Sequence, residues 1–340
     1  ERDAFVTMLA KFTYLDSTKA MARRNIDSFT TLVQIALADG DGLGDSWAQV
    51  LKCLSEFQRL HMIGTGAKTS SVFFPASSEA PSPMPQASAK GAAPSKAVAS
   101  STRHAHSVII QPTRPRQSTA GGGSREHAVA AVDLAAVDEL NSATMLDKVD
   151  VVAIDRIFSQ TEVLSPEAIV HFVRNLCAVS REELASPTDP QVYALQKLVE
   201  IAYYNMSRVR FVWARIWEVI GDFFTEVGQH ANLNIANYAV DSLRQLSKKF
   251  LERGEMQNFV FQREFLKPFV DLMGVATSLE MKELIITCLD NLVLTSARSI
   301  RSGWRPMFEV FSIAATDPAA SVAEPGFHVR LTLTLTLTLA

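Results

Sequence analysis

With 340 residues, the chain has length for two or three modest domains or for one elongated repeat array. It is 47% hydrophobic and 20% charged, with 19 Phe and 4 Trp, which is enough apolar material for a sizeable core. The net charge of -3, with no arginine-rich arm or basic block, argues against nucleic acid as a partner.

Cys53, Cys177 and Cys288 lie far apart, each inside an apolar helical pattern, with no CxxC pair among them. They read as small buried core residues of a reduced, cytosolic protein rather than as disulfides or zinc ligands. No apolar h-region follows Glu1-Arg2-Asp3, so no signal peptide is read, and the missing initiator Met points to a piece of something longer. Charges interrupt every apolar stretch before the roughly 18 residues of a membrane span. The expectation is a soluble protein whose membrane contact, if any, is peripheral.

The first block, residues 1–63, carries three amphipathic patterns. Phe5, Leu9, Phe12 and Leu15 mark a helix over Ala4–Leu15. Ile26, Phe29, Leu32, Val33 and Ala36 mark a second over Met21–Ala38, which Asp39-Gly40-Asp41-Gly42 breaks. Trp47, Val50, Leu51, Leu54, Phe57 and Leu60 mark a third over Ser46–Met62. Residues 64–126 change character: Ala, Ser, Pro, Thr and Gly dominate and mildly basic residues are scattered through. Such a segment buries too little side chain to offset its ordering entropy, and a disordered linker is expected.

Helical periodicity returns over residues 127–316. The clearest stripe is Trp213, Ile216, Trp217, Ile220, Phe223, Phe224 and Val227, one face of a helix over Val209–Val227. Further helices are expected over Pro166–Val179, Pro190–Met206, Ile235–Leu251, Phe261–Met273, Leu279–Thr295 and Arg305–Ala314. Ser165-Pro166 reads as an N-cap with proline at the first helical position. Helices of this length, paired at about 40 residues per pair, match an all-α, armadillo/HEAT-like helical repeat array. No crisp repeated motif accompanies them, and a compact bundle stands as the rival. Residues 317–340 form a divergent tail that ends in an unbroken Leu-Thr alternation over Leu331–Leu339. As a β-strand with one apolar face, that repeat is an aggregation hazard.

Sites of chemistry are hard to find. Gly64-Thr65-Gly66-Ala67-Lys68-Thr69 has Ala67 where a phosphate loop needs glycine, and it follows a helix rather than a strand. Asp39-Gly40-Asp41-Gly42-Leu43-Gly44-Asp45 resembles the start of a calcium loop, but Leu43 and Val50 stand where oxygen ligands are required. The histidines show no paired-ligand spacing, no nucleophile has a partnered base, and Glu182-Glu183 and Glu252/Glu255 read as solvated helix ends. No catalytic residue, cofactor or metal is expected. Two polar stretches are less ordinary: Asp241, Ser242, Arg244 and Gln245, interleaved with a core stripe, and Arg301 with Trp304 after a helix end. They read either as a packing network and a capped turn or as a partner-binding surface, since solenoids dock partners on such faces.

Several stretches together resemble one family. They are Asp150 to Phe158, Phe172 to Ser180, Leu195 to Met206, Ala239 to Phe250, Phe261 to Phe269 and Ile300 to Trp304. Arg2 to Val6, Arg23-Arg24 before Asn25-Ile26-Asp27, and Gly44-Asp45-Ser46-Trp47 through Gly66 add to them. The chain is similar to the large ARF-GTPase exchange factors of the trans-Golgi, the brefeldin A-inhibited guanine nucleotide-exchange proteins. The stretches correspond to the region after that family's exchange domain, to which nothing here is similar. The resemblance implies a regulatory scaffold without exchange activity, with an ARF-family GTPase or other trafficking proteins as partners. It also implies a possible homodimer and peripheral recruitment to trans-Golgi or endosomal membranes from the cytoplasm. A stand-alone helical-repeat adaptor, or a truncated gene product, is the alternative.

Overall fold

A computed structural model describes residues 2–15, 22–64, 149–187, 190–253 and 260–326. Among these, every regular element is helical. In chain order they are α1 (Arg2–Phe12), α2 (Arg23–Ala38), α3 (Trp47–Gly64), α4 (Val151–Ser159), α5 (Pro166–Leu184) and α6 (Tyr193–Asn205). Then come α7 (Arg210–Val227), α8 (Leu233–Leu251), α9 (Phe261–Val275), α10 (Leu279–Ser296) and α11 (Trp304–Ala315). Residues 65–126 of the expected linker, the start of the following block up to 148, and the Leu-Thr tail lie outside the described residues.

Short polar residues set several helix starts. Ser165 Oγ accepts from Ala168 N at 3.3 Å with Pro166 at the first position, as its sequence implied. Asp150 Oδ1 accepts from Val152 N and Ala153 N at 3.0 and 3.2 Å, and Asn232 Oδ1 from Asn234 N at 3.0 Å. The short helix α4, nine residues long, has too few turns to stand out by periodicity. Its packing holds it: Ile154, Ile157 and Phe158 are buried.

The odd-numbered helices α1, α3, α5, α7, α9 and α11 lie side by side in one layer, each against the next. The even-numbered helices α2, α4, α6, α8 and α10 form a second layer in the same way. A single apolar core runs between the layers from Val6 to Val322. Stacking of each helix on the one two places along the chain is the geometry of a helical-repeat array, and it excludes a compact bundle around one axis. Aromatic rings join successive helices of the odd-numbered layer: Trp47 on Phe172 with centroids 4.5 Å apart, and Trp217 on Phe265 at 3.8 Å. Such offset or edge contacts add roughly 0.5–1.5 kcal/mol each beyond area burial.

Two expectations need correction. On α1 the buried face carries Val6 and Ala10, whereas Phe5 and Phe12 are 56% and 51% exposed. With aromatic and small apolar residues on both sides, apolar identity alone does not fix which side of α1 meets α2 and α3. Second, α5 runs five residues past Val179 to Leu184 and carries Glu183 into the core, 9% exposed, so this glutamate is not a solvated helix end. Glu182 beside it is exposed and pairs with Lys52 at 2.7 Å.

Candidate functional site

The first polar stretch lies on α8. Ser242 is buried and its hydroxyl donates to the carbonyl of Tyr238 at 2.7 Å. Asp241 is half-buried and holds two neighbours on its own helix. Arg244 Nε donates to Asp241 Oδ1 at 2.7 Å, and Gln245 Nε2 donates to Oδ2, also at 2.7 Å. The network borders α10. Burial pushes the Cys288 thiol up to about 12, with Arg244 opposing that shift and Asp241 reinforcing it. Burial likewise raises the Tyr238 phenol, against hydrogen bonds from Ser242 and Gln196.

The second stretch is the turn between α10 and α11. Ile300 is buried, Arg301 is exposed, and Trp304 is half-buried with its ring 6.0 Å from Phe308. This turn is clamped from α9 by Gln262, which is 1% exposed. Gln262 Oε1 accepts from Arg301 N at 2.7 Å and Gly303 N at 3.3 Å, while its Nε2 donates to Ser299 O at 2.9 Å. Ser302 Oγ in turn accepts from Arg263 N at 3.2 Å, at the start of α9. Gly303 fits because a Cβ there would meet Leu266 Cδ1 at 2.9 Å. The six residues singled out by sequence therefore form two clusters, one along α8 and one at the α10–α11 turn.

Gln262 is a buried polar position that sequence reasoning misses, although a signal exists. It occupies the α9 stripe that continues through Phe265, Phe269 and Leu272, where a polar residue is out of pattern. Glu183 is the same case on α5, seven residues beyond Leu176 on the buried face. Its carboxylate accepts from Ala194 N at 2.9 Å, near the start of α6, and from the Ser55 hydroxyl on α3. Burial raises its carboxyl to about 7, against those two hydrogen bonds and with Glu56 adding repulsion. A third polar node escapes periodicity because it lies in a turn. Arg208 donates to Asn205 Oδ1 at 2.6 Å and to the carbonyls of Thr161 and Leu164 at 2.7 and 2.6 Å.

The acidic turn after α2 is committed to the fold. Asp41 Oδ1 accepts from Ser165 N at 2.7 Å, Asp39 pairs with Arg2 at 3.2 Å, and Asp45 meets His171 at 3.3 Å. Trp47 Nε1 donates to Gly40 O at 3.1 Å. No group of three or more His, Cys, Asp or Glu placed to hold a metal occurs among the described residues. Cys53, Cys177 and Cys288 are all buried, as their apolar settings implied, and none is in a disulfide. Gly64 closes α3, and the rest of the phosphate-loop-like stretch lies outside the described residues. No helix among the described residues is long and apolar enough to cross a membrane.

The family model described as Mon2/Sec7/BIG1-like, HDS matches residues 249–330, which takes in α9, α10 and α11. The chain is 39% identical to brefeldin A-inhibited guanine nucleotide-exchange protein 1 of Arabidopsis thaliana, over 96% of this chain and 19% of that protein. It is 41% identical to protein 3 of Arabidopsis thaliana over 96% of this chain and 18% of that protein. With protein 1 of Homo sapiens the identity is again 41%, over 96% of this chain and 16% of that one. The chain thus spans less than a fifth of the length of each of these relatives. It is related, along nearly its whole length, to one segment of the brefeldin A-inhibited guanine nucleotide-exchange proteins.

Proposed function

We propose that this chain is a non-catalytic regulatory scaffold of a large ARF guanine nucleotide-exchange factor. It acts in Golgi vesicle trafficking through protein contacts and peripheral recruitment to membranes from the cytoplasm. The observation that carries this reading is the relationship of 96% of the chain to one segment of proteins named for nucleotide exchange. The two-layer stack supports it, because its long flanks suit partner docking better than the enclosed pockets typical of catalysis. Asp241, Arg244, Gln245, Arg301 and Trp304 are the proposed partner surface, buried Ser242 holding to its own helix beneath them, with an activated ARF-family GTPase as the first candidate and a second copy of the chain as another.

The experiment immobilises the 340-residue chain and offers ARF loaded with a non-hydrolysable GTP analogue or with GDP. Preferential retention of the GTP form, weakened by Arg301→Glu and Trp304→Ala, is the expected result. Nucleotide release from ARF should be no faster with the chain than without it. Acceleration of release overturns the non-catalytic reading, and retention of neither form favours a stand-alone helical-repeat adaptor.

A further inference from the structure

A groove of about 390 Å³ lies between α7 and α9, lined by none of the residues of the two polar clusters described above. Carboxylates line both walls: Glu218 and Asp222, one helical turn apart on α7, and Glu264 and Asp271 on α9. All four are exposed, and Lys267 joins them from α9. Among the described residues no ion pair engages Glu218, Asp222 or Asp271, and Glu264 has only Arg263 at 3.9 Å. Like charges four residues apart weaken a helix, so Glu218 and Asp222 lack a structural rationale.

The floor of the groove adds a directional signal. Trp217 is 3% exposed, and its indole Nε1 has no hydrogen-bond partner. A buried unpaired N–H costs roughly 1–3 kcal/mol. That nitrogen lies 3.3 Å from the point a Cβ on Gly221 would occupy, and Pro268 Cγ is 3.4 Å from the same point, so a larger residue than glycine would crowd it. Across the groove, Pro268 sits inside α9 and has no N–H for the carbonyl of Glu264. A donor on one wall and a released acceptor on the other are what an extended peptide backbone satisfies.

We propose that the α7–α9 groove binds an extended basic peptide segment of a partner. One of its carbonyls accepts from Trp217 Nε1, and a Lys or Arg side chain lies between the facing carboxylates. Half-buried Phe261, at one end, offers a ring face to the cationic group. The acidic walls disfavour phosphate, and hence nucleic acid and anionic lipid. This inference uses none of the residues of the proposed ARF surface and stands or falls independently of it.

The test is fluorescence anisotropy of a labelled peptide of alternating Lys and Ala titrated with the 340-residue chain. A matched Glu-Ala peptide is the control and unlabelled spermidine the competitor. The Lys peptide should bind and the Glu peptide should not. Asp222→Asn with Asp271→Asn should weaken binding by about tenfold or more. Gly221→Ala, which leaves all charges in place and crowds the indole N–H, should weaken it as well. Circular dichroism confirms that each variant is folded, and the exposed Asp222/Asp271 pair decides the matter if Gly221→Ala is not. Absence of binding, binding indifferent to the Asp222/Asp271 pair, or displacement by spermidine as effective as by unlabelled peptide each overturns the proposal.

Discussion

Replacing Glu183 by Gln should flatten the pH dependence of stability, because burial raises the pKa of this carboxyl. Its pKa is raised from 4.5 to about 7. The folded state therefore binds a proton that the unfolded state releases, and the group stabilises the fold most at pH values below 4.5. That contribution is lost as pH rises through about 7 and is absent above it. Between about pH 5 and pH 8 the loss amounts to about 2–3 kcal/mol, because each pH unit separating the two pKa values corresponds to roughly 1–2 kcal/mol. Gln is neutral throughout, keeps an oxygen for Ala194 N and can still meet Ser55, so it imitates the protonated acid. The assay is urea denaturation followed by far-UV circular dichroism at both pH values, for wild type and Glu183→Gln. Every other titratable group is common to both proteins, so the difference between the two pH slopes isolates Glu183. A variant that keeps the full wild-type slope would show that Glu183 is ionised in the folded chain, and the burial argument would fail. Glu183→Ala serves as the control: it removes the contact near the start of α6 and should cost stability at both pH values.

Gln262→Leu should lower stability by about 2–3 kcal/mol, since it strands Arg301 N, Gly303 N and Ser299 O together. A thermal melt indistinguishable from wild type would show the clamp to be dispensable. Arg208→Lys should cost about 1–2 kcal/mol in the same measurement, because an ammonium cannot span Asn205, Thr161 and Leu164 as the guanidinium fork does. Cys177 and Cys288, 1% and 2% exposed with thiols pushed up to about 12, should resist a thiol reagent at neutral pH until urea unfolds the chain. Labelling of either at the rate of a free thiol contradicts the burial of both side chains.

The long helices are legible in sequence because their stripes repeat over three or more turns. Trp213 to Val227 on α7 and Ala236 to Phe250 on α8 need no tertiary knowledge to be read. Short α4 has too few turns, and the register of α1 is ambiguous because Phe5 and Phe12 compete with Val6 and Ala10 for the inner face. Polar residues are harder. Gln262 and Glu183 sit on apolar stripes, but a stripe predicts burial, not which distant carbonyl or N–H will arrive to satisfy the group. The α7–α9 groove is illegible for a related reason: Glu218, Asp222, Glu264 and Asp271 look like ordinary solvated positions until two helices about 50 residues apart in sequence are laid side by side. Asp241, Arg244 and Gln245 are visible as an interruption of pattern, and the bonds they make are local to their helix.

The packing of α3 against α5 makes the covalent path between them partly redundant. Trp47 inserts beside Phe172, Lys52 meets Glu182, Ser55 meets Glu183, and Asp41 caps the backbone at Ser165. Together with α2 against α4, these contacts form a joint between polypeptide before residue 65 and polypeptide after residue 148. A protease cut between those positions should leave two fragments that still migrate as one particle. The intact backbone then acts as a tether that sets the local concentration of the two faces, and apolar burial at the joint sets how long they stay together.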